Sequence, residues 1–372
     1  MRLYVYIARR LLLMVFVLFG LSVLIFYLTR GLLPVSFALA PYITPRMDDA
    51  TRLITARAIG VATASCPSYS AFVSGQEGCV VPLWGQYFTW LTNALTGNWG
   101  LTLLPGISGT DTTWHIFWSR FPFTAELAVA GAFLTILLGI PLGIISATHN
   151  NKLPDHVARI FSLGGYSVPQ FWFGAMLQII FVLYIRVNGS GLLPASGALA
   201  TTCGICFGNP GQLASYSGVP ILDSLLSLNL PYFWDVLVAL ILPAITLAIT
   251  SIGALSRIVR SSMMDVLRQD YILLAKAKGL KERVVVYRHA LRNALLPAVT
   301  VAGLLAAYLL GGVVVIEIVF SWPGVGNTAF VAAEVLDVNF LELYVLVTGA
   351  IIVFINLAVD IIYAKLDPRI RY

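Results

Sequence analysis

The chain has 372 residues, 59% of them hydrophobic and 11% charged. A soluble domain carries roughly 25% charged residues, so this chain has too little charge to cover a water-facing surface. That excludes a soluble enzyme, a disordered protein and a nucleic-acid binder; the net charge of +6 belongs instead to a membrane topology.

Six uncharged runs reach or approach the roughly 20 residues that cross about 30 Å of hydrocarbon. Arg10 to Arg30 encloses 19 uncharged residues, Glu126 to Lys152 25, and Arg159 to Arg186 26. Asp235 to Arg257 encloses 21, Arg292 to Glu317 24 and Glu342 to Asp360 17, the last with an apolar pattern running on to Ala364. Two further uncharged stretches, 78–110 and 187–222, carry Gly, Pro, Asn, Ser and Thr throughout. Their unsatisfied polar groups make them too costly to span lipid. The first run is too long for the 7–15-residue core of a signal peptide, despite Ala38-Leu39-Ala40, and is read as an uncleaved anchor over 1–30. Residues 31–120 form an external region. Spans follow at about 123–148, 160–185, 236–257, 293–317 and 343–364, with an internal loop over 258–292 and a tail over 365–372. Seventeen Lys and Arg fall on the side of the termini and six on the other, which places both termini in the cytoplasm. The expected fold class is all-α and integral to the membrane, with six transmembrane helices and a large external loop after the first.

In that external region, Asp48 to Gly60 and Leu83 to Leu95 have helical spacing, with Trp84, Tyr87, Trp90 and Leu91 on one face. The favoured reading packs this stripe onto the membrane domain; the other makes it a docking surface. The four cysteines, Cys66, Cys79, Cys203 and Cys206, all lie outside, which suits an oxidising compartment. Local pairs, 66 with 79 and 203 with 206, are preferred among the three connectivities. Cys203-x2-Cys206 could also signal redox or zinc chemistry, but no βαβ pattern surrounds it and its loop holds no histidine, so no metal site is expected. Asn188-Gly189-Ser190 is a glycosylation sequon, and its position at the end of span three argues against modification.

The most informative stretch is the 258–292 loop. Asp270 suits a helix N-terminus, Lys276 and Lys278 its C-terminal end, and Gly279 its stop. Tyr271, Leu274, Ala275 and Lys278 fall at i, i+3, i+4 and i+7, giving an apolar face on a basic loop. Such a face needs a protein groove or the lipid interface, and spacing leaves both open.

Tyr271-x3-Ala275-Lys276-Ala277-Lys278-Gly279-Leu280, followed by His289-Ala290-Leu291-Arg292-Asn293-Ala294-Leu295-Leu296-Pro297, resembles the EAA loop of ABC importer permeases of the dipeptide/oligopeptide/nickel group, the DppB/OppB type. Gly311 to Gly326 is similar to that group's fifth-span exit, and Asp367-Pro368-Arg369-Ile370-Arg371-Tyr372 to its C-terminus. Ser167-Val168-Pro169-Gln170-Phe171-Trp172 and Leu193-Pro194-Ala195-Ser196-Gly197 are weaker matches. Leu273 and Leu274 stand where the EAA consensus begins acidic, the Gly-Asp-Pro after span one is absent, and the regions around 66–79 and 198–220 look like insertions.

The resemblance implies a type I ABC importer transmembrane domain, forming half of a translocation pathway. Its partners would be a second homologous permease, two ATP-binding subunits and an extracellular solute-binding protein. Asp270, Tyr271, Leu274, Ala275, Lys278, Gly279, His289 and Arg292 would make the ATPase-coupling surface. The chain has no phosphate-binding Gly-x4-Gly-Lys-Ser/Thr loop, so no catalytic residue or cofactor is expected here; ATP and magnesium would sit on the partners. Glu126, Gln170, Tyr308 and Glu317 are the candidates for the pathway or its gate. Glu126, Glu317 and Asp360 stand near span ends, where interfacial water is the simpler account. Gly303-x3-Ala307-x3-Gly311 is a small-residue stripe that suits packing within the chain or against the second permease. The rival classes are an ion-coupled secondary carrier, which should show inverted repeats or broken helices, and a membrane enzyme, for which His115, His149, His156 and His289 form no ligand-spaced pair. The group carries peptides, nickel and oligosaccharides; peptides or oligosaccharides are expected here.

Overall fold

A computed structural model describes residues 3–34, 37, 39–44, 46–104, 111–187, 190–194, 197 and 217–366. Cys203, Cys206 and Asn188 lie outside the described residues. The helices are α1 (Leu3–Phe26), α2 (Asp49–Ala58), α3 (Tyr69–Val73), α4 (Leu83–Leu95), α5 (Thr113–Thr148), α6 (Leu153–Ser167), α7 (Gln170–Gln178) and α8 (Pro220–Leu226). They continue with α9 (Leu230–Leu267), α10 (Asp270–Ala277), α11 (Glu282–Val284), α12 (Leu291–Val319), α13 (Val325–Glu334) and α14 (Val338–Leu366). A two-residue hairpin pairs Arg186–Val187 with Ser190–Gly191.

All six uncharged runs fall on helices. Among the described residues, four helices are long and apolar enough to cross a membrane: Ala8–Gly31, Thr113–Thr148, Leu230–Leu267 and Val338–Ile362. A fifth is counted if α6 and the segment Gln170–Tyr184 make one span, but they meet at 102°. The run 160–185, expected as a single helix, is therefore broken. Pro169 is the cause. A residue before proline is pushed out of the helical region, and Val168 is extended (φ −88, ψ 129).

The chain divides into two compact units: Met1–Ala8, Pro122–Asn327 and Ile352–Tyr372 form one, and Arg9–Phe121 with Thr328–Ile351 the other. In the first, α9 is the central helix and buries Val236, Leu242, Leu247, Leu255, Val259 and Met263. It touches α6 closely at Gly253, where a Cβ would stand 2.5 Å from the Ser162 carbonyl oxygen. Beside this contact the Ser162 and Ser256 hydroxyls hydrogen-bond at 2.7 Å. Small residues and cross-helix hydroxyl pairs are the usual means of joining apolar helices that lipid solvates equally well. Gly303 serves the same purpose: a Cβ there would meet Val359 Cγ2 at 2.4 Å, so this end of the small-residue stripe is used within the chain.

At one end of α9 lies an ionic cluster that sequence reading missed. Asp155, fully buried, accepts from Ser146 Oγ at 2.5 Å, Asn151 N at 2.9 Å, Arg159 Nη2 at 2.9 Å and Arg260 Nε at 2.9 Å. Arg260 Nη2 reaches Asn150 Oδ1 at 3.0 Å. One carboxylate thus ties α5, α6 and α9 together.

In the second unit, Cys66 and Cys79 are disulfide-bonded, with Cα atoms 4.5 Å apart. They sit in a small core with Leu39, Leu53, Ala56, Val61 and Phe72. α2 and α4 form close to where helical spacing places them, and Asp48 caps α2 by accepting from the Thr51 amide at 3.3 Å. The expected α4 stripe holds for Tyr87 and Trp90, which pack with Ile25, Phe26 and Leu91; Trp84 faces outward, 67% exposed. Arg30 and Thr29 donate to Glu342 at 2.9 Å and 2.8 Å, a buried pairing of α1's end with α14.

Replacing Asp155 with Ala leaves two arginines and a backbone amide without their shared acceptor. We expect a loss of roughly 2–3 kcal/mol, read as a lower unfolding midpoint of the detergent-purified protein, whereas Arg159→Lys should cost less than about 1 kcal/mol because that side chain is partly solvated.

Candidate functional site

Two features of the first unit are candidate sites: a short helix on the 258–292 loop and a cavity at the helix bend. In the loop, Gln269 is extended (φ −77, ψ 150) and α10 begins at Asp270. It ends after two turns at Gly279, whose φ of +74 is a left-handed conformation that glycine adopts without strain. The Gly279 and Lys278 amides donate to Lys276 O at 2.9 Å and Leu274 O at 3.0 Å.

The face buried by α10 differs from the expected one. Ile272 and Ala275 point inward and pack in one cluster with Met263, Val285, Val286 and Ala290. Tyr271 is half-buried beside them, and its hydroxyl accepts from Asn293 Nδ2 at 2.8 Å. Leu274 faces out, 62% exposed, next to Leu273 at 54%. The expected face of Tyr271, Leu274 and Ala275 is thus split. The reason is the segment after the helix: Val285 and Val286 give α10 a floor of its own, and residues three apart, Ile272 and Ala275, meet it. Asp270, Lys276, Lys278, Gly279 and Arg292 are exposed and His289 is half-buried, so the outward surface is an apolar pair ringed by charge. Ile272 was overlooked because a two-turn helix leaves its apolar positions open to more than one face.

The bend forms the second feature. A cavity of about 680 Å³ is lined by Tyr166, Pro169, Gln170, Phe171, Thr250 and Ser251, among others. Gln170, the first residue after the break, donates from Nε2 to Thr250 Oγ1 at 2.7 Å. The Ser251 hydroxyl is buried and has no hydrogen-bond partner among the described residues. The Arg257 guanidinium lies 5.0 Å from the Tyr166 ring centroid. Gln170 brings an amide, Thr250 and Tyr166 hydroxyls, and Tyr166 and Phe171 aromatic faces to this cavity. Of the pathway candidates whose side chains are described, Gln170 lines this cavity and Glu126 and Glu317 do not. The signal for Thr250 and Ser251 was faint, two hydroxyls in an apolar run; the signal for the bend was Pro169 itself.

Glu126 and Glu317 are placed otherwise. Glu317 is fully buried; it accepts from Thr124 Oγ1 at 2.6 Å and from the Asn327 amide at 2.8 Å. Thr124 Oγ1 accepts in turn from the Val325 amide at 2.8 Å. Together they satisfy the first amides of α13, which have no partner within the helix. Gly324 permits this, because a Cβ there would lie 2.1 Å from Glu317 Oε1. Glu126 is 6% exposed and accepts from the Ile221 amide at 2.9 Å, fixing the start of α8. Both carboxylates anchor turns inside the fold, which corrects the expectation that they reach interfacial water. Asp360 is half-buried on α14, and Tyr308 lies on α12. Among the described residues no cluster of His, Cys, Asp or Glu could hold a metal.

The family described as "Binding-protein-dependent transport system inner membrane component" matches residues 139–372, a stretch that contains the bend, the cavity and α10. The chain belongs to this family. The permease is 34% identical over 367 residues to the di/tripeptide transport system permease protein DppB of Pseudomonas aeruginosa, covering 99% of this chain and 98% of that one. It is 35% identical over 306 residues to the dipeptide transport system permease protein DppB of Escherichia coli K12, covering 82% and 86%. It is also 34% identical over 292 residues to the oligopeptide transport system permease protein AppB of Bacillus subtilis, covering 78% and 81%. It is a DppB/OppB-like ABC permease, an integral protein of the bacterial inner membrane.

A Glu317→Ala permease leaves the Thr124 hydroxyl and the Asn327 amide without an acceptor, and should lose about 2–4 kcal/mol in thermal unfolding. Gln170→Ala removes one hydrogen bond on a cavity wall and should cost about 1 kcal/mol or less by the same measurement.

Proposed function

We propose that the permease forms half of the pathway of an ATP-driven peptide importer and is coupled to a separate ATPase through the 268–280 helix. The observation that carries the coupling is the outward pair Leu273 and Leu274 on a helix held rigidly from behind by Ile272 and Ala275. A face backed by its own core can transmit a push, and an exposed apolar pair ringed by Asp270, Lys276 and Lys278 is suited to a groove on a partner. Peptides are the substrate class suggested by the relatives' names. The neutral polar groups of Gln170 and Thr250 on the cavity wall support that reading, since neutral donors and acceptors match peptide amides without selecting side chains. Assembly with a second permease, two ATP-binding subunits and a solute-binding protein follows from the same reading. So does a topology of six spans with cytoplasmic termini, supported by the seventeen-to-six bias in Lys and Arg.

Leu274→Asp introduces a charge on the exposed side and spares the buried one, unlike a change at Ala275. In the assembled transporter it should lower substrate-stimulated ATP hydrolysis by at least about tenfold, with the chain still inserted at its normal level; undiminished stimulation would reject the docking role. For topology, a membrane-impermeant maleimide should reach Gly75→Cys but not Lys281→Cys in intact cells, in a chain whose native cysteines are serine.

A further inference from the structure

Helix α4 lies in the external region 31–120, and in the second unit it packs on the apolar helix Ala8–Gly31. The Tyr87 hydroxyl hydrogen-bonds the Ser22 hydroxyl at 2.8 Å, and the Tyr87 ring meets Phe19 and Phe26 at centroid distances of 6.5 Å and 5.3 Å. Trp90 meets Phe26 at 5.4 Å. Ser22 stands nine residues before the end of the apolar helix Ala8–Gly31, about 13 Å along its axis at roughly 1.5 Å per residue. A leaflet's hydrocarbon is about 15 Å deep, so α4 is bound to α1 at the depth of acyl chains.

Its other face is apolar and is not covered among the described residues. Trp84, Phe88 and Leu95, at i, i+4 and i+11, are 67%, 60% and 79% exposed. On the apolar helix Ala8–Gly31 itself, Leu24 and Tyr27 are each 54% exposed as well. Thr92, the polar residue within the stripe, donates its hydroxyl to Phe88 O and Thr89 O at 3.0 Å and 2.9 Å. Thr89 donates to Gly85 O at 3.0 Å, and Thr96 to Asn93 O at 2.9 Å. No charged residue occurs between Glu77 and Asp111. Hydroxyls bonded back onto their own helix and an absence of charge are what a hydrocarbon environment requires; a water-facing helix has no need of either.

We propose that α4 is a non-spanning helix lying within the leaflet crossed by the second half of α1, with Trp84, Phe88 and Leu95 against phospholipid acyl chains. This rests on α1 being a membrane crossing. The test places the photoreactive residue p-benzoylphenylalanine at position 84, 88 or 95 of the assembled transporter in phosphatidylethanolamine/phosphatidylglycerol nanodiscs, with position 16 as reference, since Phe16 is exposed on α1. Illumination should give phospholipid adducts, detected by mass spectrometry, at all three α4 positions with a yield within about threefold of that at 16. Adducts at 16 but none on α4, or cross-links from α4 to another protein chain in place of lipid, would overturn the proposal and leave α1 as a crossing. Absence of adducts at 16 as well would remove the crossing on which the proposal stands.

Discussion

Hydrocarbon offers no hydrogen bonds, so each polar group carried into an apolar helix bundle has to find its partner in protein. The arrangement of this permease follows from how that is met. Asp155 is reached by two arginines, a serine and a backbone amide from three helices. Glu317 takes the donors of a helix start that no residue of that helix can satisfy. Glu342 receives Thr29 and Arg30, and Ser162 and Ser256 meet where glycine brings two helices together. Apolar packing between these helices is weakly directional, because lipid solvates leucine as well as another leucine does; the polar contacts are what select one arrangement.

The same rule explains why the cavity sits at the bend. A proline that breaks a helix frees backbone and side-chain groups, and such irregular structure is tolerated at membrane depth where it borders a cavity. Gln170 follows Pro169 and bonds Thr250, while the Ser251 hydroxyl has no hydrogen-bond partner among the described residues. The carboxylates anchor turns, while the neutral groups of Gln170 and Thr250 border the cavity.

Helix α10 shows a related division. Its inward residues, Ile272 and Ala275, belong to a core completed by Val285, Val286 and Ala290, and its outward residues, Leu273 and Leu274, are exposed among the described residues. Where the resembling EAA motif begins with an acidic residue, the permease presents leucine, so the outward face of α10 is apolar at Leu273 and Leu274.

Helix content, the apolar runs, the position of α10 with its glycine stop, and the family were legible in the residues, because each rests on local spacing, on counts of charge or on a contiguous motif. The local disulfide Cys66–Cys79 was also favoured from separation alone. The facing of each helix was not legible. Sequence spacing defines a stripe on α10 or α4 but not which neighbour will cover it, and so Ala275 and Leu274 were grouped together and Trp84 was placed with Tyr87. The burial of Glu126 and Glu317 was equally hidden, since their partners Ile221, Thr124 and Asn327 lie on other elements. The break at Pro169 had a visible cause; its 102° angle and the cavity it opens were decided by packing against α9. Period and composition are properties of a segment, whereas burial is a property of pairs of segments far apart in the chain, and only the folded arrangement brings those pairs together.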